Sequence, residues 1–225
     1  MADVTKSPLA PPPARRLILL GIGVFAEEIT DLVREIPGWE VVGYALSIGR
    51  PEPGTLFNGR PVHWIDELPT LAADHWAVCG IGTTRRAGFV AQVEAMGFRF
   101  ATLVHPTARV SPSTSLGAGT IVSTGAIIAS HTTLGRHVIV NRGALIGHHT
   151  HIGDCTTVGP GANIAGLCRI GAGTYLGMGS LVLDRMAVGT GSVVGAGSVV
   201  TRPVPEHVQV IGMPAKIVKE GVNGY

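Results

Sequence analysis

The sequence predicts a chain in two parts, a small α/β unit followed by a solenoid of stacked three-sided coils. In the first half, apolar runs of strand length alternate with segments of helical periodicity. From Val110 to Val200 every sixth residue is aliphatic, a period that fits neither a helix nor an ordinary strand. Units of one short strand and one turn cannot bury their apolar side alone, so they stack as a solenoid.

Composition sets broad limits on what the chain does. A length of 225 residues allows one or two domains, and a formal net charge of +2 gives no reason to expect nucleic acid as a partner. The three cysteines form no CxxC motif, which favours reduced thiols and a cytoplasmic protein. No apolar run is long enough to span a membrane.

The first part of the chain is predicted as a proline-rich loose tail over residues 1–15, then an α/β unit over 16–105. The run Leu17-Ile18-Leu19-Leu20 is typical of a buried parallel strand. A helix follows until Pro37-Gly38, and further strands are predicted over 40–46, 76–81 and 99–104, with a second helix over 86–96. Strands that alternate with helices indicate a parallel sheet.

A glycine turn links the first strand to the first helix. In Gly21-Ile22-Gly23 the two glycines would let backbone N–H groups approach a phosphate or a sugar at the helix N-terminus. The third glycine of the dinucleotide fingerprint is absent, so the same turn also fits a purely structural role.

The solenoid is predicted over residues 106–205. Each aliphatic residue fills the interior of a flat face, and the fourth residue after it, usually Thr, Ser or Ala, sits where the chain turns inward. Glycine and polar residues occupy the corners, where positive φ is often needed. Three faces a coil place residues 18 apart on neighbouring strands. Pro203 and Pro205 end the pattern, and residues 206–225 form a cap and tail.

Three stretches carry a resemblance to a known family, and they are HPTARVSPS (105–113), VNRGALIGHHTHIGD (140–154) and VIGMPAK (210–216). With the preceding α/β unit they resemble the hexapeptide-repeat acetyltransferases that modify nucleotide-linked amino sugars and sialic acids for bacterial surface polysaccharides. The resemblance implies a left-handed parallel β-helix, an exception to the usual right-handed crossover. It also implies a homotrimer that uses acetyl-CoA as co-substrate, bound between two subunits, with the sugar nucleotide held by the α/β unit.

The resemblance assigns the general base to His148. Transfer of an acetyl group from a thioester needs a group that accepts the proton of the attacking amine or hydroxyl, and imidazole does this near neutral pH. The family usually has Asp or Glu next, whereas this chain has His149. A neutral imidazole can orient the base but supplies no negative charge, so His149 is either a substitute helper or a sign of reduced activity.

Four residues are candidates for holding acetyl-CoA. Gly166 follows His148 by 18 residues, and Met178 and Ala196 form another column at the same corner phase. Thr157 stands where the family often has a cofactor-contacting histidine, and its hydroxyl can still donate one hydrogen bond.

The sugar side departs from the family. Gly21 and Gly23 are the candidate contacts, and Arg85 or its neighbour Arg86 is a candidate for a diphosphate. The family's acidic pair after the second strand is replaced by Ala45-Leu46-Ser47, so the sequence does not identify the nucleotide.

Several alternatives remain. The histidines 131, 137, 149 and 151 raise the possibility of zinc, but the spacing of the zinc-bearing relatives is missing, so no metal is expected. The same fold would also serve an enzyme that acylates a non-sugar amine or alcohol, or a non-catalytic trimeric scaffold.

Overall fold

The computed structural model describes residues 14–225, so all but the last two residues of the predicted tail lie outside it. No helix within this range is long and apolar enough to cross a membrane. The elements of the α/β part are β1 (Arg15–Leu20), α1 (Val24–Arg34), β2 (Trp39–Leu46), β3 (Leu56–Phe57), β4 (Arg60–Trp64), a 3-10 helix (Ile65–Thr70), β5 (Trp76–Cys79), a 3-10 turn (Thr84–Arg86), α2 (Ala87–Ala95) and β6 (Arg99–Phe100).

The α/β part is a six-stranded sheet in the order β3-β4-β2-β1-β5-β6, parallel except for the β3–β4 pair. Its apolar strand β1 lies between β2 and β5, which confirms the expectation of a buried parallel strand. The β3–β4 hairpin was not predicted. Its turn is Asn58-Gly59 with both φ angles positive, the commonest signal for a two-residue hairpin.

The two helices lie on opposite faces of this sheet. α1 shares one core with Leu17 and Leu19, while α2 shares another with Ile18 and Leu20, the alternate side chains of β1. α1 leads to β2 on one side of β1, and α2 leads from β5 to β6 on the other. The carboxyl ends of β1 and β5 therefore flank a topological switch point, the usual ligand crevice of such sheets.

The second part is a parallel β-helix, as the six-residue period predicts, and it has the left hand that the resemblance implies. Its two-residue strands are β7 (Leu103–Val104), β8 (Arg109–Val110), β9 (Ser115–Leu116), β10 (Ile121–Val122), β11 (Ile127–Ile128), β12 (Thr133–Leu134), β13 (Ile139–Val140), β14 (Leu145–Ile146), β15 (His151–Ile152), β16 (Thr157–Val158), β17 (Asn163–Ile164), β18 (Arg169–Ile170), β19 (Tyr175–Leu176), β20 (Leu181–Val182), β21 (Ala187–Val188), β22 (Val193–Val194) and β23 (Val199–Val200). A hairpin of β24 (Val208–Gly212) and β25 (Ala215–Glu220) follows.

The strands form three sheets, here called faces 1, 2 and 3. Face 1 runs from β7 through β10, β13, β16, β19 and β22 to the β24–β25 hairpin, face 2 from β8 to β23, and face 3 from β9 to β21. Partners are 18 residues apart, as in Ile121 beside Ile139, which confirms the predicted stacking. The predicted strand 99–104 is divided, because β6 joins the α/β sheet and β7 begins face 1.

The interior of the β-helix follows the predicted pattern. The aliphatic residues from Val122 to Val200 are buried in one core. The small residues at the inward turns are buried too, and several of their hydroxyls donate to the next coil, as Thr132 does to the Gly147 carbonyl at 2.9 Å. Each such bond satisfies a carbonyl inside the coil stack.

Each corner of the β-helix has one position that needs close approach between coils and another that needs positive φ. Glycines directly after the aliphatic residue are needed for close approach, since a Cβ at Gly147 would lie 2.5 Å from the backbone of the next coil. Positive φ belongs two positions later, where the residues include Gly143, His149 and Leu167. The prediction that glycine and polar residues occupy corners with positive φ is confirmed, and the glycines directly after the aliphatic residue have a separate role in close approach.

The outward side chains differ from face to face. Those of face 1, such as Ile121 and Ile139, are buried against the α/β part. Face 3 presents polar side chains such as His151 and Arg169. Face 2 presents Ile127, Leu145 and Leu181, which are 38–45% exposed. The same face also carries the exposed side chains of Arg109 and Asn163, so it is mainly apolar, and it is uncovered in the single chain.

Candidate active site

His148 lies at the corner between faces 2 and 3, where the chain leaves β14. Its side chain is exposed, so it points away from the packed interior. Its Nδ1 lies 3.1 Å from Nδ1 of His149, and the two rings are nearly perpendicular at a centroid distance of 5.2 Å. A hydrogen bond between two Nδ1 atoms needs one protonated and one free nitrogen. When His148 is the donor, its Nε2 carries a lone pair and is available as a base.

Gly166 lies directly below His148 on the next coil. A Cβ at this glycine would be 2.7 Å from Nε2 of His148, closer than side chains pack. The group that approaches Gly166 in the structure is therefore the imidazole of His148. Its contact with acetyl-CoA stays a prediction.

His149 adopts positive φ, at 55°, and lies below His131, which occupies the same position one coil earlier. Their ring centroids are 4.8 Å apart at an interplanar angle of 42°. His149 thus contacts one imidazole by a hydrogen bond and another by stacking, where the resemblance leads us to expect a carboxylate.

The other histidines have separate surroundings. His137 is buried, and its Nε2 lies 2.9 Å from Oε1 of Glu94 on α2. Burial, and then the charges of Arg136 and Arg86, lower its pKa to about 4. His151 is exposed on face 3. Among residues 14–225 no group of three or more His, Cys, Asp or Glu is arranged to hold a metal ion.

The remaining cofactor candidates lie elsewhere in the single chain. Met178 and Ala196 lie at the corner between faces 1 and 2, across face 2 from His148, and Met178 is exposed. Thr157 is buried under the α/β part, where its hydroxyl donates to the Gly82 carbonyl at 2.9 Å and accepts from Arg86 at 2.7 Å. One chain does not bring these residues together with His148.

At the switch point two glycine turns face each other. Gly21 and Gly23 follow β1 with positive φ of 99° and 118°, and Gly80-Ile81-Gly82 follows β5. A Cβ at Gly21 would lie 2.8 Å from Ile81, so the two turns are in contact. The second turn was not predicted, although the same Gly-Ile-Gly triplet after an apolar strand is a signal for it.

Of the two candidate arginines, only Arg85 is free to meet a ligand. It is exposed and lines a cleft of about 410 Å³ with Ser47, Ile48, Ile81 and Gln92. Arg86 is 1% exposed and donates to the carbonyls of His137 and Thr156, both at 2.9 Å. Arg86 therefore joins the α/β part to face 1.

Several solved structures match nearly the whole chain. PerB from Caulobacter crescentus, in complex with CoA and GDP-perosamine, is 31% identical with a TM-score of 0.82, over 95% of this chain and 100% of that one. The acetyltransferase domain of PglB from Neisseria gonorrhoeae, in complex with acetyl coenzyme A, is 28% identical with a TM-score of 0.82, over 91% of this chain and 100% of that one. WeeI from Acinetobacter baumannii is 27% identical with a TM-score of 0.81, over 90% and 99%. No protein-family model and no curated protein matches the chain.

The chain belongs to the hexapeptide-repeat sugar acetyltransferases. This confirms the family and the enzyme class that the three motifs indicate. In this sugar acetyltransferase His148 contacts a second imidazole, His149, where the resemblance leads us to expect a carboxylate. The roles of the individual site residues stay predictions.

Proposed function

We propose that this acetyltransferase moves the acetyl group of acetyl-CoA to the amino group of a nucleotide-linked sugar, with His148 as general base. The observation that supports it is the exposed His148 imidazole, whose Nδ1 is engaged by His149 while Nε2 stays free. The neighbours support the substrates, because one is a perosamine N-acetyltransferase bound to CoA and GDP-perosamine and another domain is bound to acetyl coenzyme A.

The proposed reaction is a direct transfer. The lone pair of the sugar amine attacks the thioester carbonyl, and a C–N bond forms as the carbonyl oxygen gains negative charge. Nε2 of His148 accepts the proton that the amine must lose. When the tetrahedral intermediate collapses, the C–S bond breaks and the proton passes from His148 to the departing CoA sulfur. The products are an N-acetylated sugar and CoA, and His148 returns to its neutral form.

His149 is proposed as the residue that orients the base. When its neutral Nδ1 accepts the proton of His148 Nδ1, it fixes the tautomer that leaves Nε2 unprotonated. His149 supplies no full negative charge to stabilise the protonated base. It therefore orients the base as a carboxylate would, but does not stabilise the imidazolium.

A homotrimer is proposed because face 2 exposes Ile127, Leu145 and Leu181 on a flat surface. Face 1 is covered by the α/β part and face 3 is polar, so face 2 is the surface suited to contact between copies. In a closed ring the corner that bears His148 would face the other corner of a neighbour, which bears Met178 and Ala196. We propose that acetyl-CoA occupies this groove.

The acceptor is proposed to lie at the switch point of the α/β part. Gly23 offers a backbone N–H group at the start of α1, and Arg85 offers a guanidinium beside the same edge. The N–H of Gly21 donates to the Ala45 carbonyl at 2.8 Å, so Gly21 contributes to the turn by its lack of a side chain. A diphosphate carries the charge that both features favour. A cytoplasmic location stays a prediction from the cysteines.

The test measures CoA release and product mass for a panel of nucleotide-linked amino sugars, free amino sugars and non-sugar amines. We expect turnover with at least one nucleotide-linked amino sugar and its loss in His148→Ala. His151→Ala is the matched control, because this histidine is exposed three residues away on face 3. Turnover with non-sugar amines alone would assign another acceptor. Acetyl-CoA binding without any turnover would indicate a scaffold, and an active His148→Ala would remove the proposed base.

A further inference from the structure

A cavity of about 280 Å³ lies where the α/β part meets face 1 of the β-helix. Gly82 and Thr83, which follow β5, form one side, and Asn141 and Tyr175 of the β-helix form the other. Phe25 in the first turn of α1, Thr157 on β16 and Tyr225 complete the lining. The segment that follows β5 therefore separates this cavity from the cleft that contains Arg85.

Tyr225 reaches this cavity from the far end of the β-helix. Its backbone N–H donates to the Thr84 hydroxyl at 2.8 Å, and its carbonyl accepts from the Thr84 N–H at 2.8 Å. The preceding Gly224 donates to the Gly191 carbonyl at 2.6 Å. A Cβ at Gly224 would collide with the Thr84 side chain, so only glycine lets the chain pass this close. Residues 221–225 thus form a strap from the β-helix to the α/β part.

The ring of Tyr225 packs on the ring of Tyr175. Their centroids are 4.6 Å apart at an interplanar angle of 33°, within the range of stacked aromatic pairs. Burial, and then the neighbouring Tyr225, raise the pKa of Tyr175, so its phenol keeps its proton at neutral pH. The pair presents apolar ring faces together with O–H donors, which suits the mixed surface of a sugar ring.

The size of the cavity limits what it can hold. Pockets for drug-sized ligands have volumes of about 300–1,000 Å³, so this one suits a single ring rather than a whole sugar nucleotide. The cleft of about 410 Å³ beside Arg85 lies on the other side of the same segment. A nucleotide-linked sugar that crosses the two glycine turns would place its diphosphate over them and one ring on each side.

We infer that Tyr175 and Tyr225 form the wall that holds the sugar ring of the acceptor, and that residues 221–225 keep Tyr225 in place. This rests on the proposed function and adds to it the part of the site that selects the sugar. The nucleotide base then lies in the cleft of Ser47, Ile48 and Gln92. The strap therefore makes acceptor binding depend on contact between the β-helix and the α/β part.

The experiment measures KM for the acceptor and for acetyl-CoA separately in the full chain. Tyr225→Ala and Tyr175→Ala should each raise KM for the nucleotide-linked amino sugar by at least about tenfold. Their KM for acetyl-CoA should stay within twofold. Gly224→Ala, which keeps both rings but displaces the strap, should have the same selective effect as Tyr225→Ala. Tyr225→Phe should retain most of the binding because the ring remains. Lys219→Ala, an exposed change on β25, is the control.

The outcomes separate this inference from the proposed function. If the wild-type protein acetylates no nucleotide-linked amino sugar, the proposed function fails, and the inference that rests on it is overturned with it. If the wild-type protein is active and both alanine variants keep their acceptor KM, the proposed function stands and the inference is overturned. A variant that raises both KM values equally would mean that the tyrosines only support the fold, which also overturns it. Binding of the free nucleotide should be unchanged in every variant, because the base and diphosphate contacts remain.

Discussion

Replacement of Gly166 by alanine tests the placement of the proposed base without touching the base itself. The added Cβ would lie 2.7 Å from Nε2 and 2.8 Å from Cε1 of His148, whereas ordinary contacts begin at about 3.4 Å. Alanine already occupies the equivalent turn position at Ala118, Ala172 and Ala196, so the backbone accepts it. We therefore expect a folded protein in which the imidazole is displaced.

The expected magnitude follows from that overlap. The ring must move by about 0.7 Å or change rotamer, and misplacement of a reacting group by about 1 Å costs on the order of a hundredfold in rate. We expect kcat to fall by about a hundredfold with an unchanged melting temperature. The assay is chromatographic measurement of CoA release at saturating substrates.

A second comparison makes the test specific. In a His148→Ala background the additional Gly166→Ala change should have no further effect, because both act through one imidazole. If Gly166→Ala alone kept kcat within threefold of wild type, the placement of His148 over Gly166 would not matter for catalysis and this reasoning would be refuted.

Further predictions concern the helper, the assembly and stability. His149→Asp restores a charged helper at a position where Asp tolerates positive φ, so kcat should equal or exceed that of wild type, whereas uncharged His149→Asn should lower it. Leu181→Lys should lower the mass measured by light scattering from trimer to monomer, and an unchanged mass would contradict the face 2 interface. Ser180→Ala removes a buried hydroxyl without a partner and should raise the free energy of unfolding by about 1 kcal/mol in urea titrations, so a loss would contradict this account. In the folded protein the pKa of His137 is lowered from 6.5 to about 4, so the unfolded chain takes up the proton first as the pH is lowered. The free energy of unfolding should therefore fall as the pH is lowered from 6.5 to about 4. The loss should be at most about 3 kcal/mol, and it should disappear in His137→Phe.

The β-helix was predictable because its period is written directly in the sequence. The aliphatic and small positions of each hexapeptide determine the interior, and the 18-residue spacing determines the strand partners. The sequence pattern does not say which face receives the α/β part, because all three faces share the same interior repeat. That assignment depends on outward residues such as Ile121 and Ile139, which look like ordinary apolar strand residues.

The outward corner position of His148 was predictable from the repeat, and its role as general base stays a prediction. The 18-residue spacing predicted that Gly166 lies next to His148 on the following coil, and the structure confirms this contact. The spacing could not predict that Thr157 is buried against Arg86, because this contact joins residues 71 positions apart in two parts of the chain. For the same reason nothing in the local pattern indicated that Tyr225 meets Thr84.

Mixed trimers test the central claim most directly, since the account divides the site between copies. His148→Ala and Met178→Arg should each be inactive as homotrimers. Subunits of the two variants, exchanged at equal ratio, should recover about a quarter of wild-type activity, because one in four interfaces would then combine an intact His148 with a neighbour's intact Met178. Exchange confirmed by mass spectrometry with no recovery of activity would show that His148 and Met178 do not meet in a site shared between copies, and would contradict the account.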